Sequence, residues 1–370
     1  MELARFPLRR IAGRLAEGID STLLMLLLTL SMVGLAVLYS ASYDVPGRVA
    51  GQLVSLTVAL TAMWIVAQVS PQTMMRFAVP AYLIGVAFLV AVALFGDVVN
   101  GARRWLHVGV TRFQPSEMMK LALPLMLAWY FHKHETTLRL RDFAMAALLL
   151  MVPLGLIVRQ PDLGTAMLVG AVGFYVIFFA GLSWKVMIGL GVAGSVLLIP
   201  AWGMLHDYQR RRILTLLDPT SDPLGAGYHI IQSTIAVGSG GFTGKGWLNG
   251  TQSHLEFIPE RHTDFIFAVY SEEFGLIGNL ILLVLYALLI GRGLVIAANA
   301  ATVFARLIAG AVTLMFFTYA FVNMGMVSGI LPVVGVPLPF LSYGGTALLT
   351  LFIGAGILMS VQRHRKLVQT

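Results

Sequence analysis

The sequence predicts an all-α integral membrane protein. We expect about ten transmembrane helices in a single polytopic domain over residues 1–370, with one long outer (periplasmic) loop at 205–264. Three observations carry this. The chain is 58% hydrophobic and only 11% charged, where a soluble domain carries about 25% charged residues. Apolar runs of about 17–25 residues recur along it. Its Lys and Arg are spread unequally over the connections between those runs.

The first run, near 22–40, is long and lacks a small-residue cleavage site, so it reads as a span and not as a signal peptide. Runs near 50–69 and 78–95 follow. The run at 115–131 opens with Pro115, which suits a first helical turn. The runs at 143–158 and 164–182 are separated only by "RQPDLG", and 186–204 comes next. After the long loop come 265–291, 302–325 and 343–361. The 38 Gly and 18 Met fit helices packed closely in lipid. Cys is absent, which excludes disulfides, thiolate metal sites and a Cys nucleophile.

Ten spans put both termini on one side. That side collects Arg5, Arg9, Arg10, Arg14, Arg76, Lys133, Arg139, Arg141, Lys185, Arg292, Arg306, Arg363, Arg365 and Lys366. The short connections of the other side hold only Arg48, Arg103, Arg104, Arg112 and Arg159. Both termini are therefore expected in the cytoplasm, and the net charge of +8 is largely a topology signal. It does not call for nucleic acid. The loop 205–264 then faces outside. Apolar and aromatic residues among its turns predict an ordered structure on the membrane.

Two patterns in that loop invite false readings. "SGGFTGKG" resembles a phosphate-binding loop, but Ser239 stands where the first Gly is needed and Gly246 where Ser or Thr is needed. It reads as a glycine-rich turn. His254, Glu256, His262 and Asp264 lack the compact spacing of a zinc site, and no metal site is assigned.

Charges within or beside apolar runs mark function by default, because they cost several kcal/mol unless paired or wet. Glu117 and Lys120 are three apart and share a helix face, which also suits a self-neutralising structural pair. Asp162 lies in "RQPDLG". Glu272 and Glu273 fit the interface or a pairing with Arg. Asp264 stands where the outer loop becomes helix, in "ERHTDFIFAV". Two readings are open there: a helix N-cap, and a half-desolvated carboxylate poised for proton transfer. Arg48, Arg103, Arg104, Arg112, Asp162, Arg210, Arg211, Arg212, Lys245, Arg261 and Asp264 all map to the outer side. They can surround one cavity, and many Arg around one carboxylate suit an anionic substrate, phosphate above all.

Five blocks then carry a resemblance. They are "RRWLHVGVTRFQPSEMMKLA", "RQPDLGTA", "HDYQRRRILTLLDPTSDPLGAGYHIIQS", "GSGGFTGKGWLNGTQSHLEFIPERHTDFIFAVYSEEFGLIG" and "NMGMVSGILPVVGVPLPFLSYGGTA". The chain resembles the SEDS family (shape, elongation, division and sporulation proteins), on its elongation branch more than its division branch. The resemblance implies a ten-helix peptidoglycan glycosyltransferase of the bacterial plasma (inner) membrane. Such proteins polymerise lipid II at the outer face beside a class B penicillin-binding protein and other elongation-complex membrane proteins.

It also implies roles for residues. The family's essential aspartate falls on Asp264, and its acidic–basic pair on Glu117 and Lys120. Arg48, Arg103, Arg112, Asp162, Arg211, Lys245, Arg261, His262 and Ser342 are the further residues expected to bind lipid II and the nascent glycan strand. The reaction is displacement at an anomeric carbon by a sugar 4-hydroxyl, for which one base suffices. No cofactor is assigned; a divalent cation, Mg or Mn, stays open. The rival classes are a lipid II flippase and a non-catalytic scaffold for the penicillin-binding protein.

Overall fold

A computed structural model describes residues 19–43, 45, 47–99, 102–108, 111–136, 138–160, 162–204, 210, 214–222, 225–255, 257, 258 and 260–365. Ten long helices lie at the places of the ten apolar runs. They are α1 (Ser21–Ala41), α2 (Arg48–Gln68), α3 (Pro71–Phe95), α4 (Pro115–Lys133), α5 (Leu140–Val158), α6 (Leu163–Phe179), α7 (Trp184–Met204), α10 (Ile266–Ala298), α11 (Val303–Val327) and α12 (Gly345–Arg363). Seven of them are long and apolar enough to cross a membrane by length and composition alone: α1, α2, α3, α5, α10, α11 and α12. The protein is multi-pass. Leu280, Ile281 and Val284 on α10 and Phe77 and Leu83 on α3 are among the large apolar side chains left exposed, as lipid-facing surfaces require.

The ends are set by local chemistry. Asp20, Ser70 and Thr302 accept from backbone N–H groups at the starts of α1, α3 and α11, the usual N-cap arrangement. Asp20 also takes both Nε and Nη2 of Arg292, which ties the start of α1 to α10 on the side of the N-terminus. Close helix contacts use glycine. A Cβ on Gly356 of α12 would lie 2.6 Å from Met63 O of α2, and one on Gly34 of α1 would lie 2.6 Å from Leu341 Cα.

Two connections carry structure of their own, and only the first goes beyond what the sequence suggested. The 96–114 segment holds a small antiparallel sheet, β1 (Asp97–Val99), β2 (Ala102–Val108) and β3 (Thr111–Phe113), in the order β1-β2-β3. Asp97 faces Trp105 and Leu106 faces Phe113. The all-α expectation therefore holds for the membrane body and not for this hairpin cap. Within 205–264 the described residues form a 3-10 turn at Pro219–Ser221, helix α8 (Ala226–Ser239) and the single turn α9 (Thr251–His254). Arg211, Arg212 and Glu256 lie outside the described residues.

The main correction concerns the run expected as one helix at 265–291. α10 is broken at Gly275, whose φ of 63° and ψ of −159° are not helical. The two parts lie side by side as a hairpin. Tyr270 Oη donates to Gly278 O at 2.7 Å, Ser271 Oγ donates to Asn279 Oδ1 at 3.0 Å, and Phe267 shares a groove with Leu283 and Tyr286. Ser271 beside Asn279 and Phe267 beside Leu283 is the order of an antiparallel pair. The longer part, 276–298, covers roughly 34 Å at 1.5 Å per residue and is long enough to span by itself. The shorter part, 266–274, is a re-entrant arm, with Asp264 at its foot. Its apolar residues Ile266, Phe267, Ala268 and Val269 are buried in protein and do not anchor it in lipid. Glu272 and Glu273 sit near the tip, on the far side of the arm from Asp264.

Candidate active site

The arm is fixed at its foot by three hydrogen bonds from neighbouring segments, which are in turn tied to α2 by Gln52. Asn323 on α11 donates through Nδ2 to Asp264 O at 2.8 Å and to Val336 O at 2.7 Å. Ser342 Oγ donates to Thr263 O at 2.7 Å and accepts from Leu338 N at 2.7 Å. Tyr343 N donates to His262 O at 2.8 Å. Gln52 on α2 donates to Ser342 O at 3.1 Å and accepts from Gly344 N at 3.3 Å. The segments 262–264 and 336–344 are thus strapped together between α2 and α11. That arrangement buries their backbone polar groups without leaving them unpaired.

The Asp264 carboxylate is half-buried and accepts no hydrogen bond among the described residues. It is not an N-cap: the cap position of α10 is Phe265, and no side chain caps there. Desolvation, and then the charge of Glu260, push its pKa up to about 6. A base near neutrality with its lone pairs free suits proton abstraction. Gly335 lies beside it: a Cβ there would stand 3.3 Å from Asp264 Oδ2, and its φ is +74°.

Among the described residues, several polar groups without hydrogen-bond partners lie on the segments that meet the foot of the arm. They are Nδ1 of His262, Oδ1 of Asn323, Nδ1 of His229 and Nη1 of Arg48. His262 lies two residues before Asp264. The His229 ring stacks on Phe265, with centroids 5.6 Å apart, and burial holds its pKa below the usual histidine value. Arg48 is one helical turn before Gln52. Buried polar atoms left unpaired are costly, so such a cluster is suited to a polar ligand.

Asp162 reaches the same region. Its side chain caps α6 through Thr165 N at 3.2 Å, accepts from Gln114 Nε2 at 3.2 Å and lies 3.8 Å from Arg104 Nε. Gly164 packs against Val334 O, the residue before Gly335. Arg103 and Arg112 sit on β2 and β3, opposite Val98 and His107; their side chains lie outside the described residues.

Glu117 and Lys120 pair at 2.5 Å in the helix interior, and Lys120 Nζ also donates to Tyr319 Oη of α11. Glu117 Oε2 has no hydrogen-bond partner among the described residues. Glu117 lines a cavity of about 300 Å³ with Gln114, Thr346 and Thr350, between α3, α4 and α12. A larger, almost wholly apolar groove of about 430 Å³ runs along α10 and α11 past Phe267, Tyr286, Met324 and Ser328.

Three expected ligands are engaged by other groups of the protein. Lys245 pairs with Glu272 at 2.6 Å. Arg261 is buried and donates to Ala41 O at 2.7 Å and Ser253 O at 2.8 Å. The Ser342 hydroxyl is committed to backbone at both ends. Sequence reading passed over Asn323, Gln52, His229 and Gly335. A lone Asn in an apolar helix was the available signal for the first. Among the described residues no group of three or more His, Asp or Glu side chains could hold a metal ion.

Fold and site define a multi-pass membrane protein with one recessed, unpaired carboxylate on a re-entrant arm. The chain belongs to the FtsW/RodA/SpoVE family: the family model, described as "Cell cycle protein", matches residues 20–367. It is 52% identical over 352 residues to the peptidoglycan glycosyltransferase MrdB of Escherichia coli K12, covering 95% of each chain. Among solved structures it matches a peptidoglycan synthase complex with a TM-score of 0.82 at 36% identity, covering 94% of this chain and 98% of that one. It also matches the rod shape determining protein RodA of Thermus thermophilus with a TM-score of 0.72 at 30% identity, covering 94% and 97%.

Proposed function

We propose that this chain is a peptidoglycan glycosyltransferase that polymerises lipid II at the outer face of the bacterial inner membrane during cell elongation, with both termini in the cytoplasm. The observation that carries the reading is the Asp264 carboxylate, half-buried, without a hydrogen bond among the described residues and with its pKa raised to about 6. Asp264 takes the proton of the attacking sugar 4-hydroxyl as that oxygen bonds to the anomeric carbon of the other substrate. The bond from that carbon to diphosphate breaks, and the diphosphate leaves with the electron pair. Positioned base catalysis contributes about 10²–10⁴-fold. Among the described residues Arg48 suits the diphosphate, because its Nη1 has no hydrogen-bond partner there. The apolar groove along α10 and α11 suits a polyprenyl tail. The likeness to a synthase complex whose subject is polymerisation and crosslinking supports a class B penicillin-binding protein as partner.

A transport reading has one observation in its favour. Broken helices commonly mark transporter sites, and α10 is broken. Here, however, the exposed backbone groups at the break are occupied by the chain itself, as described below, and are not left for cargo. The deciding experiment is polymerisation of purified lipid II by the purified chain, with and without its partner. Glycan product from the parent and none from Asp264→Asn supports the reading; equal product from both overturns it.

A further inference from the structure

The glycine-rich stretch "GSGGFTGKG" closes the break in α10. A helix interrupted at Gly275 leaves carbonyls unpaired at the end of the arm and N–H groups unpaired at the start of the span. The loop supplies both kinds of partner. Lys245 N donates to Glu272 O and Gly246 N to Glu273 O, each at 3.0 Å; Leu276 N donates to Gly241 O at 2.9 Å and Ile277 N to Phe242 O at 3.1 Å. Glycine is required for the approach. A Cβ at Gly240 would lie 2.1 Å from Ser271 O, and one at Gly244 would lie 2.0 Å from Glu273 O.

One side chain of the loop locks this fit. Lys245 Nζ donates to Glu272 Oε1 at 2.6 Å and to Thr251 Oγ1 at 2.7 Å, and the same carboxylate oxygen accepts from Gln252 N at 3.0 Å. Glu272 is fully buried, while Lys245 is partly exposed. A buried carboxylate with one cation and backbone donors is strongly geometry-dependent. Glu273, next to it, takes the hydroxyl of Ser40 near the end of α1.

We propose that Lys245 is a positioning residue for the reaction: its pairing with Glu272 holds the glycine loop in the break and thereby fixes the tip of the arm whose foot carries Asp264. This rests on the reading of Asp264 as the base. It differs from a direct role in binding diphosphate, since the ammonium group is already occupied. The arm is a short helix, roughly 13 Å at 1.5 Å per residue, so a tilt at the tip is passed on to the foot. Misplacement of a catalytic group by about 1 Å can cost about 10²-fold in rate.

The test uses the full chain with its partner and purified lipid II. Lys245→Met and Glu272→Gln should each lower kcat by about 10²-fold with KM little changed. The double variant should be no worse than the poorer single one, and Lys245→Arg should restore most of the rate. A raised KM in Lys245→Met, with Glu272→Gln silent, would overturn the proposal in favour of substrate binding. So would lowered thermal stability with kcat kept in both. Asp264→Asn in the same assay separates the two readings. If it stays active, the base assignment is lost. If it is dead while Lys245→Met is silent, only the positioning role is lost.

Discussion

The side-chain amide of Asn323 holds the backbone carbonyl of Asp264 at 2.8 Å and that of Val336 at 2.7 Å. One nitrogen thus joins the foot of the re-entrant arm to the loop that carries Gly335. Asn323→Leu removes the donor and leaves two buried carbonyls unpaired, at a cost of about 1–3 kcal/mol each. We expect a lower melting temperature and glycan synthesis reduced by about 10-fold or more. Parental activity in this variant, measured on lipid II, would show that the strap does not set the site.

Asp264 has a folded-state pKa of about 6, raised by desolvation and then by Glu260. Activity should rise with pH through about 6 and level off above it, falling about tenfold per unit below. The sign for stability is opposite. A carboxylate whose pKa is raised on folding binds more protons when native, so its contribution weakens as pH rises from about 4 to about 6 and stays low above. Asp264→Asn should therefore melt higher than the parent at pH 7.5 and no higher at pH 4. Equal melting curves at both values would mean that the carboxylate is not desolvated.

Gly335 has a φ of +74° and faces Asp264 Oδ2. Gly335→Ala adds left-handed strain of about 1–2 kcal/mol and presses a methyl group on the carboxylate. Glycan synthesis should drop severalfold or more. Gly181→Ala is the control: φ there is +100° with nothing within 4 Å, so a comparable strain should leave activity intact. Equal losses in the two variants would assign the effect to backbone strain alone.

Glu117 and Lys120 are buried and paired at 2.5 Å. Removing one partner of a buried pair costs about 3–5 kcal/mol, and removing both costs less than the sum. Glu117→Ala and Lys120→Ala should each reduce yield and activity, and the double change should be less than additive. Strict additivity in melting temperature would show two independent roles.

Topology is open to a direct check, since the chain has no Cys. Ser221, on the exposed 3-10 turn, should label with an impermeant thiol reagent in intact cells after substitution by Cys. Asn299, in the turn between α10 and α11, should label only after lysis. The reverse pattern would place Asp264 on the cytoplasmic side.

The membrane body was legible because apolar runs of helical length are unambiguous in so uncharged a chain. Asp264 could be singled out because "ERHTDFIFAV" puts a carboxylate directly at the head of an apolar run. The break in α10 could not be read. Gly275 stands in "SEEFGLIGN", and glycine is tolerated within transmembrane helices; only the distant loop 240–246 reveals that the helix stops there. The sheet was missed because strands such as Thr111–Phe113 are too short to show a period. Lys245 and Arg261 look like free cations in a list of residues. Their partners, Glu272, Ala41 O and Ser253 O, come from contacts no local pattern encodes.

The hairpin in α10 separates two histories within one stretch of chain. During synthesis the insertion machinery needs a segment long and apolar enough to partition into lipid, and residues 276–298 meet that need without help. The nine residues before Gly275 are spared that test. They can carry Glu272, Glu273 and the approach to Asp264 without jeopardising entry into the bilayer, and they can be altered without inverting the protein. Defects in this stretch should then appear as correctly inserted, abundant but silent protein, a class that expression screens pass and that only an assay of glycan synthesis would catch.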